Sequence, residues 1–153
     1  MRPAPEDRSV SDLAAFGVVN LDKPAGPSAH QVAGWVRDVL GVDRAAHSGT
    51  LDPKVTGCLP TLTGDATRMA QVFLEGRKEY ISVLELHGPA PANLEAVLDE
   101  FEAPLYQKPP RKSAVSRRLR VRETHELSLL DQCDRQALLR IRCESSTYVR
   151  NLC

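Results

Sequence analysis

The stretch Leu139-Arg140-Ile141-Arg142-Cys143-Glu144 alternates apolar and charged residues along its length. A period of two is typical of a β-strand with one buried face, because successive side chains point to opposite faces of a sheet. Leu119 and Val121 alternate with arginines in the same way. The segment from Glu79 to His87 is rich in β-formers and also reads as a strand. The sequence therefore predicts a sheet with arginines along one face.

Working outward, the N-terminal half combines strand and helix signals. Gly17–Asp22 is a short apolar run that ends at turn-forming residues, which predicts a strand. Ser28 can cap a helix whose apolar face carries Val32, Val36, Val39 and Leu40 and which Gly41 closes. The Gly- and Pro-rich residues 44–64 predict ordered loop or very short strands, and Asp65 can cap a second helix ending at Gly76.

The remaining segments define the fold class. Leu94, Val97, Leu98 and Phe101 recur at helical spacing, and a final helix is expected to begin at Tyr148. The β-α alternation of a doubly wound fold is not sustained, so we expect an α+β fold with a mixed, largely antiparallel sheet flanked by helices. Residues 1–16 are expected to form a flexible lead, and the abrupt end suggests that this fold is incomplete at its C-terminus.

Composition narrows the functional classes. The 153 residues carry 20 Lys plus Arg and 20 Asp plus Glu, which argues against a uniformly basic nucleic-acid binder. No apolar run is long enough for a membrane span, and the polar N-terminus does not resemble a secretory signal. The four cysteines form no C-x-x-C pair, so neither a zinc site nor a disulfide framework is indicated. We expect a cytoplasmic protein with no membrane association and reduced thiols.

Charge is nevertheless strongly segregated. Residues 79–107 contain six acidic residues and no Lys or Arg, whereas the segment from Lys108 to Arg122, called the basic segment below, contains seven basic residues and no acid. Such a run is often only a solvated face. Its alternation with apolar residues and its single sign favour contact with RNA phosphates. The predicted RNA-contacting residues here are Lys108, Arg111, Lys112, Arg117, Arg118 and Arg120.

One aspartate stands in a stretch suited to chemistry. Asp52 lies in His47–Pro60, HSGTLDPKVTGCLP, where Pro53 keeps it out of the helical region and Gly49 and Gly57 permit tight turns. A carboxylate held in this way can act as a nucleophile or general base. It can equally accept backbone N–H groups in an Asx turn, and the residues alone leave both interpretations open.

This stretch resembles the H-x-G-x-L-D-P signature, followed by T-G-x-L, of the TruB and dyskerin family of pseudouridine synthases. Other stretches resemble further motifs of that family in the same order, and QKPPRKSAVSRRLRVR resembles its archaeal and eukaryotic H/ACA branch. One departure is Ser146, which stands where glycine is usual. The matching stretches are Leu21–Ser28, His47–Pro60, Gly64–Arg68, Lys78–Tyr80, Gln107–Arg122 and Cys143–Cys153.

The resemblance implies isomerisation of uridine to pseudouridine in RNA, without metal or other cofactor. It implies that Asp52 is the catalytic aspartate, that Tyr80 stacks on the base and serves in proton removal from C5, and that Arg150 pairs with the aspartate. His47 is expected to help hold the flipped nucleotide. Further RNA-binding positions expected from the resemblance are Lys23, Gly49, Thr50 and Tyr148.

Several alternatives remain open at this stage. The enzyme is expected to use an H/ACA guide RNA and small partner proteins on rRNA or tRNA, or else to modify the tRNA T-loop without a guide. A third alternative is a non-catalytic RNA-binding or assembly module. Residues 17–153 are expected to be the N-terminal part of the family's catalytic domain, without the C-terminal PUA domain.

Overall fold

The computed structural model of the protein describes residues 7–110, 116 and 118–152. The chain divides into two compact units, Met1–Leu74 and Glu75–Cys153. Every strand pairing within the described residues is antiparallel. Helices accompany both sheets, which confirms the predicted α+β class with a largely antiparallel sheet.

The first unit contains a three-stranded sheet. The strand order is β1-β3-β2, so β3 is central. Ser28 caps α2 through a capping box with Gln31, and Gly41 ends the helix in the left-handed conformation, as predicted. The elements in chain order are α1 (Val10–Ala15), β1 (Phe16–Lys23), α2 (Ala29–Leu40), β2 (Ala45–His47), β3 (Gly57–Gly64), a 3₁₀ turn (Asp65–Met69) and α3 (Ala70–Glu75).

The prediction of ordered loop or very short strands for residues 44–64 agrees with β2, which has three residues, but was wrong for β3, an eight-residue strand. The sequence does not indicate this strand because it contains Pro60, and proline rarely occurs in a central strand. Here β2 has already ended: His47 is its last paired residue, opposite Thr61. The carbonyl of Pro60 accepts from Ser48 N on that side, at 2.9 Å. In an antiparallel sheet the N–H and C=O of one residue point to the same neighbouring strand. The N–H that Pro60 lacks would therefore point to the side where β2 has ended, so its absence removes no hydrogen bond between strands.

Other expectations for the first unit also need correction. The lead predicted for residues 1–16 contains α1, capped by Ser9. Asp65 does not cap a helix; it opens a 3₁₀ turn and its carboxylate accepts from Arg44 at 2.9 Å. Of the predicted apolar face of α2, Val32 is buried and Val36 and Leu40 are half-buried, but Val39 is 84% exposed. Ala29 and Ala33 complete the buried side of the helix. The cap of α1 is local, whereas the bond between Arg44 and Asp65 joins residues 21 positions apart, which a local pattern does not show.

The second unit contains a four-stranded sheet of order β4-β7-β6-β5. Two irregularities bend β6, at Thr124/Glu126 and Leu129/Asp131. The predicted final helix is only one 3₁₀ turn within the described residues. The elements are β4 (Lys78–Glu85), α4 (Leu94–Asp99), β5 (Pro104–Gln107), β6 (Arg120–Cys133), β7 (Gln136–Cys143) and a 3₁₀ turn (Val149–Asn151).

The two faces of this sheet differ as the alternation predicts. Leu139, Ile141 and Cys143 are buried on the face that α4 covers. Arg140 and Arg142 point to the opposite face, where Arg142 donates to the Glu79 carboxylate at 2.6 Å. These arginines are therefore part of an ion-pair network rather than a uniformly basic surface.

Among the described helices, none is long and apolar enough to cross a membrane.

Candidate active site

Asp52 lies on the loop between β2 and β3 in the first unit. Its side chain is half-buried, and its carbonyl accepts from Val55 N at 3.0 Å to form a tight turn. Leu51 anchors the loop by packing on the apolar cluster that includes Val32 and Leu59. At the end of the loop Gly57 has φ +126°, a conformation that favours glycine. The aspartate thus projects from a loop fixed on both sides.

Lys23 fixes the other edge of this loop. Its side chain is 0% exposed, and Nζ donates to the carbonyls of Pro24 at 2.9 Å, Pro53 at 3.3 Å and Val55 at 2.8 Å. Gly26 N also donates to Pro53 O, at 2.7 Å. The ammonium therefore saturates backbone carbonyls around Asp52. This burial corrects the expectation that Lys23 binds RNA directly, because a buried ammonium cannot reach a phosphate.

His47, Gly49 and Thr50 lead into the same loop. His47 ends β2 and is half-buried, and Ser48 after it is buried. In the part of the chain that the structure describes, the buried Nδ1 of His47 has no hydrogen-bond partner. A buried polar atom without a partner is costly and is more common at functional sites than elsewhere. Thr50 is exposed and Gly49 half-buried.

Tyr80 lies in the middle of β4, in the second unit. It is paired with Ile141 of β7 and packs half-buried against the apolar core of the sheet. Burial is the main cause that raises the pKa of its phenol, with a smaller electrostatic contribution from Cys143. At neutral pH the side chain is a neutral phenol, which offers an aromatic face and one O–H donor.

Arg150 lies on the short 3₁₀ turn that follows β7. Its guanidinium carbon is 6.0 Å from the centroid of the Tyr148 ring, at the limit of a cation–π contact. Val149 of this turn packs on the same core as Tyr80. Ser146 before the turn has φ +63°, in the left-handed region. Glycine adopts this conformation at little cost, which is a physical reason why the family that the sequence resembles usually has glycine at this position.

A buried glutamine supports this turn. The side chain of Gln107 donates from Nε2 to Tyr148 O at 3.2 Å and accepts from Tyr148 N at Oε1 at 2.9 Å. Gln107 is the last residue of β5 and precedes the basic segment. The sequence analysis did not select it as a site residue. A polar residue at an inward position of a strand was the available signal.

The basic segment is described only in part. Arg111, Lys112 and Arg117 lie outside the described residues, while Lys108 and Arg118 are exposed and Arg120 is half-buried. Next to them, Arg122 donates to Glu144 Oε1 at 3.4 Å. Lys108 and Arg118 therefore present charge to solvent, as phosphate contact requires.

Sequence reasoning also missed a polar cleft on the outer face of the second sheet. It has a volume of about 570 Å³. Across it Arg142 joins two carboxylates, Glu79 at 2.6 Å and Glu126 at 3.1 Å. The hydrogen bond from Ser128, followed by the nearby arginines, lowers the pKa of Glu126. The cleft is lined by Arg77, Lys78, Glu79, His125, Glu126 and Arg142.

The predicted residues thus form two groups. Asp52, His47, Gly49 and Thr50 share one loop region of the first unit, with Lys23 beneath it. Tyr80, Tyr148 and Arg150 share the core-facing side of the second unit's sheet and the turn that packs on it.

Comparison with known proteins identifies the class. Residues 37–91 match the TruB family pseudouridylate synthase (N terminal domain), and residues 3–33 match the DKCLD (NUC011) domain. The chain is 63% identical over its whole length to the "Probable tRNA pseudouridine synthase B" of Haloarcula marismortui, of which it covers 49%. It is 44% identical, over 97% of its length, to the protein of that name in Methanopyrus kandleri, covering 44% of it.

Solved structures agree with these relatives. A chain of the "Crystal Structure of a Cbf5-Nop10-Gar1 Complex" matches with TM-score 0.90 and 44% identity, over 97% of this chain and 45% of that one. A chain of the "Structure of H/ACA RNP bound to a substrate RNA containing 2'-deoxyuridine" matches with TM-score 0.86 and 40% identity, over 97% and 44%.

The α+β fold and these matches are those of the TruB/dyskerin family of pseudouridine synthases. The chain belongs to the TruB/dyskerin family, as the sequence motifs indicated. It spans about half the length of the curated relatives that it matches.

Proposed function

We propose that this chain carries part of the active site of an RNA pseudouridine synthase, which isomerises uridine to pseudouridine. The observation that carries the proposal is Asp52 on an anchored loop: Lys23 fixes the carbonyls around it and Leu51 packs beneath it. The 63% identity over the whole chain to a relative named as a tRNA pseudouridine synthase supports it.

In the proposed reaction the N1–C1′ glycosidic bond of the uridine breaks, the uracil turns while it is held, and a C5–C1′ bond forms. C5 loses its proton and the freed N1 takes one up, so that the product is an isomer of the substrate. Asp52 attacks the sugar or removes a sugar proton. The ring of Tyr80 stacks on the base and its phenol serves in proton removal from C5. Arg150 takes the role of the family's arginine that pairs with the aspartate. His47 helps hold the nucleotide out of its stack.

The proposed substrate is rRNA or tRNA, selected by an H/ACA guide RNA with small partner proteins. Two structural relatives support this choice, because one is a complex with Nop10 and Gar1 and the other an H/ACA particle with substrate RNA. Lys108 and Arg118 are exposed, so they can neutralise phosphates of bound RNA. Gly49, Thr50 and Tyr148 are proposed to contact the target nucleotide. We place this reaction in the cytoplasm, where an archaeal cell holds these RNAs.

A second candidate is guide-free modification of tRNA. The observation in its favour is the name shared by the relatives, "Probable tRNA pseudouridine synthase B". The two candidates differ in one measurable property, which is whether turnover requires a guide RNA.

The test is tritium release from RNA labelled at C5 of uridine, using the chain extended to the natural C-terminus. We expect the wild type to release label and Asp52→Asn to release none. Asp43→Asn is the matched control, because Asp43 is an exposed aspartate of the same unit. Dependence on guide RNA and partner proteins selects between the two candidates. Salt-sensitive RNA binding without label release under any condition would leave only a non-catalytic RNA-binding role.

A further inference from the structure

The side chain of Gln107 is unusual in its surroundings because it is a buried amide bonded to one backbone residue at two points. It is 6% exposed, and its carboxamide pairs with both the N–H and the C=O of Tyr148, at 2.9 and 3.2 Å. Two parallel hydrogen bonds fix orientation as well as distance. Tyr148 lies two residues before Arg150, so this pair determines where the 3₁₀ turn begins.

The turn is also bonded to the first residue of the basic segment, because Asn151 Nδ2 donates to Lys108 O at 3.1 Å, immediately after β5. The loop between β7 and the turn is bonded to the start of β6, because Glu144 accepts from Arg122 Nη1 at 3.4 Å and from Glu123 N at 3.2 Å. The turn and the loop before it therefore contact both ends of the basic segment.

We propose that Gln107 is a positioning residue for Arg150, acting through the backbone of Tyr148. The inference rests on the proposed function, in which Arg150 acts on the catalytic carboxylate and the basic segment contacts RNA. A misplacement of about 1 Å in a catalytic group can cost about 100-fold in rate. Loss of both bonds would remove these two restraints on the backbone of Tyr148 while leaving every proposed RNA-contacting side chain in the sequence.

A packing role and a positioning role predict different results. Gln107→Met keeps the volume of the side chain and removes both hydrogen bonds. If Gln107 only supports the fold, the variant loses stability but the folded fraction turns over at the normal rate. If it positions Arg150, kcat falls while RNA affinity is kept. Gln136→Met is the matched control, since Gln136 is an exposed glutamine at the start of β7.

The experiment is a double-mutant cycle on the extended protein with its RNA substrate, read by single-turnover tritium release and by RNA Kd. We expect Gln107→Met to lower the rate about tenfold with Kd within about twofold of wild type, and to add less than about twofold in an Arg150→Ala background. A rate within about twofold of wild type, or a full tenfold effect added to Arg150→Ala, would overturn the inference.

Folding is checked by near-ultraviolet circular dichroism. If Gln107→Met does not fold, Gln107→Glu replaces it under the same criteria, because Glu keeps the acceptor for Tyr148 N and loses the donor to Tyr148 O. Failure of the proposed function is distinguishable: then the wild type releases no tritium, or Asp52→Asn releases as much as the wild type.

Discussion

The Nζ atom of Lys23 donates a 2.8 Å hydrogen bond to the carbonyl oxygen of Val55, three residues beyond Asp52 in the chain. Two further carbonyls, of Pro24 and Pro53, share the same ammonium. Lys23 is the last residue of β1, so one side chain transfers the rigidity of the sheet to the loop that carries the candidate catalytic aspartate.

Replacing Lys23 by Met should destabilise the protein. The carbonyls of Pro24 and Val55 lose the ammonium as donor, and that of Pro53 keeps only Gly26 N. A hydrogen bond to a charged group contributes about 1.5–3 kcal/mol, so we expect the free energy of unfolding to fall by about 2 kcal/mol or more. Urea denaturation followed by circular dichroism measures this change. Lys54→Met is the control, because Lys54 is exposed on the same loop.

RNA affinity separates this role from direct contact. We expect the folded Lys23→Met protein to bind RNA with an unchanged salt dependence, because the ammonium does not reach the surface. A loss of stability no larger than that of Lys54→Met, or a salt slope lower by about one, would contradict the positioning role and restore the sequence-based expectation.

Replacing Ser146 by Gly should stabilise the protein. Ser146 has φ +63°, and the left-handed conformation costs an L-residue about 1–2 kcal/mol relative to glycine. Part of this gain is lost because glycine makes the unfolded chain more flexible, so we expect a net gain of about 0.5–1 kcal/mol. The melting temperature measures it. Ser145→Gly, outside the left-handed region, should be neutral or destabilising; a lower melting temperature for Ser146→Gly would refute the strain.

Tyr80 should ionise at a higher pH than an ordinary tyrosine. Burial raises its pKa above the usual value of about 10, because the core disfavours the phenolate. The folded state holds the phenolic proton of Tyr80 more tightly than the unfolded state does. The stabilisation that results is fully present below the unfolded pKa and is lost as the pH rises through the folded pKa. We expect the difference in 295 nm absorbance between wild type and Tyr80→Phe to develop above pH 10.

Unfolding provides the control for this titration. In guanidinium chloride the core no longer surrounds the phenol, so the difference between the two proteins should move down to the ordinary range. A difference that develops at the same pH in the folded and unfolded proteins would show that Tyr80 is not buried in the way the structure describes.

The second unit was more predictable from sequence than the first, for a physical reason. Period-two alternation reports burial on one face of a strand, and β7 shows it in residues such as Ile141 and Arg142, while β4 is indicated by its β-formers. β3 is buried on both faces, since Leu62 and Thr63 are both inaccessible, so it shows no alternation. Pro60 and the flanking glycines then suggest loop.

The candidate site, too, could be predicted from the sequence only in part. Asp52 and Tyr80 could be selected from motifs, but the burial of Lys23 and the pairing of Gln107 with Tyr148 depend on contacts between residues 30 to 41 positions apart. Local pattern contains no record of such contacts. The family resemblance suggested that Lys23 contacts RNA, whereas in the fold its ammonium donates to backbone carbonyls.

The arginines of the second unit should differ in their effect on RNA binding. Arg118 is exposed at the edge of the basic segment, whereas Arg142 is bonded to Glu79 and Glu126 at 2.6 and 3.1 Å. We expect Arg118→Gln to lower the slope of log K against log salt by about one, because one phosphate contact releases about one counterion. Arg142→Gln should leave the slope unchanged, since carboxylates already neutralise its charge.

Filter binding of labelled RNA between about 50 and 200 mM salt measures both slopes. Equal losses for the two variants would indicate that the cleft beside Arg142, and not only the basic segment, contacts RNA.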